Sequence, residues 1–314
     1  MRYSLETYLA VTRPQFFTAT LVPLLLGTSI AFYEDHFKIE MFILVLAAGL
    51  SVHAGTNLIN DYYDFANGKG SDVIKLREFT QDTNKFSGGS PFLKMELVAP
   101  NFIKWYAWFF FFLFMILSIL LTLLSGLFLL ALAVFAFLSG WLYSQPPVSL
   151  HSRRIGEPLI GLNFGPVGVL GAYYVQNPVI TLDNFIAPLI ASVPVGMLIF
   201  TLVWINEVPD AGADEQAGKL TLVVRMGRRK AVSLLPAQFL IAYGWIVLFV
   251  YLGTLPYTTL IALITFPLLP KISSTSMHHY NEGQKLEPAN AMTLLVHVVT
   301  GVLMSCGYLF IAIP

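Results

Sequence analysis

Residues 105–152 read WYAWFFFFLFMILSILLTLLSGLFLLALAVFAFLSGWLYSQPPVSLHS, 48 positions without one Asp, Glu, Lys or Arg. A helix needs about 20 mostly apolar residues to cross the hydrocarbon of a bilayer. The run is therefore long enough for two crossings, with a turn at Ser125–Gly126. Working outward, charge-free stretches recur at 14–33, 41–60, 158–182, 184–206, 231–270 and 288–314. The 231–270 stretch also fits two crossings, broken near Gly253–Pro256. The expectation is an all-α, polytopic membrane protein of nine transmembrane helices: 14–33, 41–60, 104–124, 127–144, 157–175, 185–207, 231–252, 257–270 and 290–313, the eighth being short. The first apolar run follows Arg13 and has full length, so it reads as a retained helix rather than a cleaved leader.

Composition agrees. Of 314 residues 56% are hydrophobic and 11% charged, less than half the charge of an ordinary soluble domain. Eighteen basic residues balance eighteen acidic ones, which argues against a nucleic-acid partner held by bulk charge. The single cysteine, Cys306, excludes an internal disulfide and any multi-cysteine metal site. With nine crossings, 17 of the 18 Lys and Arg fall on one face and 1 on the other. Positive loops mark the cytoplasmic side, so the N-terminus is expected in the cytoplasm and the C-terminus outside, in the cell inner or plasma membrane.

Two long cytoplasmic loops are expected, about 60–103 and 208–230, as caps on a single domain spanning 1–314. Each follows a helix ending in amides and carboxylates. One end contains Asn57, Asp61 and Asp64; the other contains Asn206, Asp210 and Asp214, an internal repeat offset by 149 residues. At 3.6 residues per turn each set shares one helical face, provided the second helix persists past Pro209, which lacks a backbone donor. Carboxylates at the end of an apolar helix are costly to bury, and two facing sets repel. A divalent cation removes both difficulties. Oxygen ligands without His or Cys suit Mg2+, which takes one or two carboxylates and completes its shell with phosphate oxygens. The plainer alternative is a pair of solvated helix ends.

Basic residues follow each acidic set: Lys69, Lys75, Arg77, Lys85 and Lys94 after the first, Lys219, Arg225, Arg228, Arg229 and Lys230 after the second. Carboxylates, a cation and Lys or Arg at the mouth of an apolar cavity form a diphosphate site. Lys219 and Arg225, just past Asp214, stand out; most of the others hold the loops inside. Ser87-Gly88-Gly89-Ser90 is a turn that could admit phosphate. Tyr143 ends the fourth helix, where tyrosine anchors are common. His53, one turn before Asn57, reads as a hydrogen-bonded packing residue, and His278-His279 has no acidic partners at metal-ligand spacing.

These stretches together resemble the UbiA superfamily of intramembrane aromatic prenyltransferases over most of the chain. They are Thr12-Arg13-Pro14, Asn57 to Asp64, YSQPPVSLHSRRIGE at 143–157, and NEVPDAGADEQAGKLTLVVRMG at 206–227. Asn163-Phe164-Gly165-Pro166 through Tyr173-Tyr174-Val175-Gln176 resembles the menaquinone-type branch. Many members carry a third Asp where this chain has Gly68; Asp72 stands nearby.

The resemblance implies helices around a central cavity and transfer of a polyprenyl group from its diphosphate to an aromatic acceptor. It implies Mg2+ held by Asn57, Asp61 and Asp64 on one side and Asp210 and Asp214 on the other, with Asn206 and Asp72 as further ligands. It implies diphosphate contacts from Lys219, Arg225, Lys69 and Arg13, a cation-facing Tyr143, and Arg153 or Arg154 paired with an acidic acceptor. The acceptor so implied is 1,4-dihydroxy-2-naphthoate, with loss of carbon dioxide; 4-hydroxybenzoate is the alternative. Intramembrane acids also suit an ion-coupled transporter, but such charges sit mid-membrane, and these sit at helix ends.

Overall fold

A computed structural model of the chain describes residues 3–66, 84–86 and 91–312. Among these, every regular element is helical. Nine principal helices follow one another: α1 Thr18–Tyr33, α2 Ile39–Ala66, α3 Pro100–Ser125, α4 Leu127–Leu142, α5 Gly156–Gln176, α6 Leu182–Glu207, α7 Arg228–Tyr251, α8 Tyr257–His279 and α9 Gly283–Ala312.

All nine expected segments are helical, but their lengths differ from expectation. Seven helices, α2, α3 and α5 to α9, are long and apolar enough to cross a membrane. The eighth candidate is a bent pair, Leu5–Phe16 with α1, meeting at 62°. Helix α4 is apolar but has only 16 residues, a length of about 24 Å against a hydrocarbon core of about 30 Å. The expectation of a short eighth helix over 257–270 is corrected. Helix α8 runs 23 residues, because the charge at Lys271 ends the apolar run without ending the helix. Its first part, Tyr257–Leu268, is wound as a 3-10 helix with Pro267 inside it.

The breaks fall where backbone chemistry requires them. Gly126, at φ 98°, both ends α3 and starts α4, a conformation that costs a residue with a Cβ. Gly253, at φ 76°, ends the turn after α7. Within α5, Asn163–Val167 forms a π-helical turn around Pro166; the missing N–H and ring of proline favour such a local rewinding.

Helix α2 packs along α3, α9 against both α8 and α1, α1 against the second half of α5, and α6 against α5 and α7. Hydrogen bonds tie the elements together at each end. At one end the Tyr173 hydroxyl donates to Glu34, Ser125 Oγ donates to the Val175 carbonyl at 3.0 Å, and Gln176 clamps the backbone of Lys38. At the other, Asn57 reaches Thr12, Asn60 reaches Ser144, Glu157 holds Leu222, and Asn290 reaches Asn206. Both acidic motifs belong to this second end.

Among the described residues, both of the expected loops, 60–103 and 208–230, contain helix. Helix α2 continues to Ala66, so the first begins later and carries the short helix Pro91–Lys94. The second is a small helical lobe, with Ala211–Gln216 and Leu222–Met226 ahead of α7.

Candidate active site

Helix α2 is unbroken through its acidic end, so Asn57, Asp61 and Asp64 project from neighbouring turns of one face. Asn57 Nδ2 donates to the Thr12 carbonyl at 3.2 Å, which leaves its amide oxygen on the other side. Asp61 is buried, 6% exposed, and Arg13 Nη1 lies 3.6 Å from its Oδ1. Arg13 itself has φ 59°, an uncommon conformation for a residue with a Cβ. It is held there by Asp61 and by stacking over the Phe16 ring at 4.7 Å. Asp64 Oδ1 is 3.8 Å from His151 Nε2, and His151 Nδ1 bonds to the carbonyl of Tyr143 at 2.6 Å. The Tyr143 and His151 rings stack at 5.4 Å.

The second motif is not one regular helix. Helix α6 ends at Glu207, Pro209 interrupts the ladder, and Ala211–Gln216 resumes with Asp210 at its start. The Asp214 amide donates to the Asp210 carbonyl at 2.8 Å, so the two acids still stand one turn apart. Arg228 Nη2 donates to the Pro209 carbonyl at 2.8 Å and so ties the start of α7 to the interrupted turn. Asp214 is 4% exposed, and its Oδ2 lies 3.4 Å from Lys219 Nζ.

Lys219 is the point where the motifs meet. Burial works against its charge, but Asp214, then Asp64 from the other motif, then Glu207 outweigh it and raise its pKa above the usual lysine range. Tyr143 belongs to the same cluster. Burial raises its phenol pKa, Glu207 adds to the rise, and Lys219 opposes it. The Lys219 ammonium thus sits in the field of carboxylates contributed by α2, by the end of α6 and by the lobe after it.

Several residues of this end escaped sequence reasoning or were given only a structural part. Glu157, in the first turn of α5, is 0% exposed; its Oε1 accepts the Leu222 N–H at 2.7 Å, and its carboxyl contacts that of Glu207. His151 braces Asp64. Asn290, deep in α9, donates to Asn206 Oδ1 at 2.7 Å. Glu207 was visible as an acid at the end of a span; Asn290 was one amide in a charge-free run, with no signal to single it out.

The other expected residues are placed as follows. Lys69 and Asp72, like Lys75, Arg77 and Ser87 to Ser90, lie outside the described residues. Arg225 is exposed on Leu222–Met226. Arg153 is exposed and folds back onto the Pro147 carbonyl at 2.7 Å, and Arg154 is exposed at φ 66°. The structure does not bring these three arginines into the cluster around Lys219. His53 is hydrogen-bonded to Thr20 at 2.6 Å, and His279 pairs with Glu282 on the surface at 2.9 Å.

Behind Tyr143 lies an apolar chamber of about 160 Å³, walled by the helices from α1 through α5. Small residues such as Ala133, Ala136, Gly140 and Gly171 form much of its wall. Several of its polar members are satisfied within the wall: Thr56 bonds to the Val52 carbonyl, Ser139 to Asn163 and Thr20 to His53. The arrangement is an acidic, cation-braced mouth opening on a dry, greasy interior.

The donor set fits a hard divalent cation: carboxylates of Asp61, Asp64, Asp210 and Asp214, and the outward oxygen of Asn57. Among the described residues no three His, Cys, Asp or Glu side chains converge closely enough to hold an ion alone.

Comparisons with known proteins give the same direction. The UbiA prenyltransferase family model matches residues 20–299. A 1,4-dihydroxy-2-naphthoate octaprenyltransferase of Bacillus subtilis is 28% identical over 243 residues, 77% of this chain and 73% of that protein. A 2-carboxy-1,4-naphthoquinone phytyltransferase of Synechocystis is 23% identical, covering 96% of this chain and 93% of its own. UbiA prenyltransferase domain-containing protein 1 of Homo sapiens is 28% identical over 72% of this chain and 62% of its own. Among solved structures, a digeranylgeranylglyceryl phosphate synthase aligns over 98% of this chain and 99% of its own, with TM-score 0.59 and 18% identity. A UbiA homolog from Archaeoglobus fulgidus bound to DMAPP and Mg2+ aligns over 98% of this chain and 99% of its own, with TM-score 0.57 and 17% identity. The match across nearly the whole bundle, acidic motifs included, means that this chain belongs to the UbiA prenyltransferase family.

Proposed function

We propose that this integral membrane prenyltransferase moves a polyprenyl group from polyprenyl diphosphate to 1,4-dihydroxy-2-naphthoate, with release of diphosphate and carbon dioxide. The observation that carries the reading is Lys219, 3.4 Å from Asp214 and in the field of Asp64, in the same charged cluster as Tyr143, which lines the apolar chamber. The naphthoate choice rests on the relatives from Bacillus subtilis and Synechocystis and on the Asn163–Gln176 stretch.

In this reading Lys219 and Arg13 face the diphosphate oxygens. Both are now held by carboxylates, and those carboxylates, with Asn57, would hold Mg2+ instead. When bound, the ion offsets the negative charge that grows on the leaving diphosphate as the C–O bond lengthens. Lys69, Arg225 and Asp72 are further candidates for this cluster. The chamber takes the prenyl chain and keeps water from the electron-poor allylic carbon. Tyr143, whose ring stacks on His151, closes the chamber toward the diphosphate and presents a π face to that carbon. The acceptor ring supplies the electron pair of the new C–C bond. The 17 basic residues expected on the motif face support a cytoplasmic location for it.

The test is purified protein with Mg2+, a polyprenyl diphosphate and each candidate acceptor, followed for prenylated product and released carbon dioxide. Prenylated naphthoate with carbon dioxide is expected. Prenylated 4-hydroxybenzoate alone would overturn the acceptor, and ion-coupled uptake without transfer would overturn the enzyme reading.

A further inference from the structure

The two motifs begin with asparagines at equivalent positions, yet the structure turns their amides opposite ways. Asn57 gives its Nδ2 to the Thr12 carbonyl, so its oxygen is the free end. Asn206 accepts at Oδ1 from Asn290 Nδ2 at 2.7 Å, so its nitrogen is the free end. A side-chain amide carries one acceptor and one donor group, and which faces a site follows from the partner at the other.

The orientation of Asn206 is anchored to backbone two residues away in the chain of contacts. Asn84 Oδ1 accepts the Phe86 N–H at 2.9 Å, and its Nδ2 donates to the Gly283 carbonyl at 2.8 Å. Turning this amide over would set N–H against N–H and carbonyl against carbonyl. Asn84 must therefore present nitrogen to Asn290, and it does, 3.3 Å from Asn290 Oδ1. Asn290 must then present nitrogen to Asn206. Asn84 and Asn290 are both buried, 7% and 0% exposed, so no bulk water substitutes for a wrong pairing. The Asn206 nitrogen has no hydrogen-bond partner among the described residues and is not sealed from solvent.

We propose that Asn206 donates a hydrogen bond to a diphosphate oxygen rather than ligating the metal, and that Asn290 and Asn84 are positioning residues that fix it that way round. The proposal rests on the prenyl diphosphate reading of the site. It makes the repeated motif asymmetric: Asn57 offers the cation an oxygen, and Asn206 offers the anion an N–H. It also links the first loop, through Asn84, to the second motif.

Four variants test this, read by KM for geranyl diphosphate against kcat, by half-saturating Mg2+, and by calorimetric binding of geranyl diphosphate. Asn206→Asp removes the donor and adds charge; KM is expected to rise roughly tenfold or more, with the Mg2+ requirement not weakened. Asn57→Asp keeps an oxygen ligand, so Mg2+ dependence survives. Asn290→Asp offers oxygen on both sides, which turns Asn206 over without touching the site; it is expected to raise KM roughly tenfold with kcat little changed. Asn290→Ala leaves Asn206 free to turn, so its effect is smaller than that of Asn290→Asp. Thermal melts of the two Asn290 variants in detergent control for folding. If Asn206→Asp leaves KM unchanged and lowers the Mg2+ requirement, Asn206 is a metal ligand and the proposal fails. It fails also if Asn290→Asp and Asn290→Ala behave alike. Wild-type protein that binds no prenyl diphosphate would overturn the functional reading and this inference with it, whereas binding that Asn290→Asp leaves unchanged overturns the inference alone.

Discussion

Lys219 Nζ lies 3.4 Å from Asp214 Oδ2 and is drawn on at the same time by Asp64, an acid of the other motif. One cation therefore balances two carboxylates from segments 150 residues apart. Lys219→Met should lower kcat/KM for the prenyl diphosphate by about 10²-fold, the scale seen when one charge-stabilising group is lost. It should leave Mg2+ or Mn2+ affinity equal or tighter, because one cation that competes with the ion for these carboxylates is gone. Steady-state kinetics with a metal titration reads both, and a variant that loses metal affinity and activity together would contradict this division of labour.

Glu157 suggests a second experiment. Its Oε1 holds the Leu222 N–H, and through it the lobe carrying Lys219 and Arg225, while its carboxyl touches Glu207. Glu157→Gln keeps an acceptor for Leu222 and gives Glu207 a donor, so stability and KM should hardly change. Glu157→Ala strands a buried backbone N–H and should cost about 1–3 kcal/mol, with KM for the diphosphate raised. Thermal melts alongside kinetics check the pair. Equal damage from both variants would show that Glu157 acts by its charge.

The helices and the two acidic motifs were legible in the sequence because they rest on local signals. Apolar runs interrupted by Gly126 and Gly253 mark spans and turns, and Asn57, Asp61 and Asp64 share a face by spacing alone. The length of α8 was not, since Lys271 ends a charge-free run without ending a helix. The acidic motifs marked a candidate cation site, but not how the end is braced. Bracing comes from residues distant in the chain, such as His151 on Asp64 and Asn290 on Asn206. A lone buried amide or imidazole has no pattern until the fold brings its partner. Arg153 and Arg154 show the converse. Their motif context suggested an acceptor contact, whereas the local turn points Arg153 back to Pro147.

The same cluster sets the alkaline limit of stability. Lys219 and Tyr143 both hold their protons above their ordinary values of 10.5 and 10.0 in the folded chain. Above about pH 10 the unfolded chain releases these protons first, so it binds fewer than the native state, and stability falls as pH rises. Below that pH both states are fully protonated at these groups, and neither contributes a slope. Each group adds up to about 1.4 kcal/mol per pH unit once its unfolded form is deprotonated. Melting temperatures of wild type and Tyr143→Phe from pH 7 to 11 should coincide in shape up to about pH 9.5. The variant should then fall less steeply. A variant whose alkaline slope matches wild type would remove Tyr143 from the buried cluster.

The chamber gives a prediction about substrate length rather than rate. Most glycines near it are packed: a Cβ on Gly140 would stand 2.4 Å from Thr56 Oγ1, and one on Gly168 would stand 3.0 Å from Pro23. Gly171, on α5, has nothing within 4 Å of the place a Cβ would take, and it lines the chamber. Gly171→Leu therefore starts its side chain in open space, so the added volume goes into the cavity, and a leucine is also a better helix former than glycine. The volume it fills is a substantial part of about 160 Å³. A short prenyl diphosphate such as geranyl diphosphate, which needs only the part near Tyr143, should keep its KM within about twofold. Longer chains must thread past position 171 and should lose at least roughly tenfold in kcat/KM, since overfilling a packed apolar space costs about 1–3 kcal/mol. Comparing geranyl with longer polyprenyl diphosphates in wild type and Gly171→Leu separates this from general damage, which would penalise every length alike. An unchanged length profile would mean that the chain leaves the site by another route, and that the chamber walled by α1 through α5 is not its path.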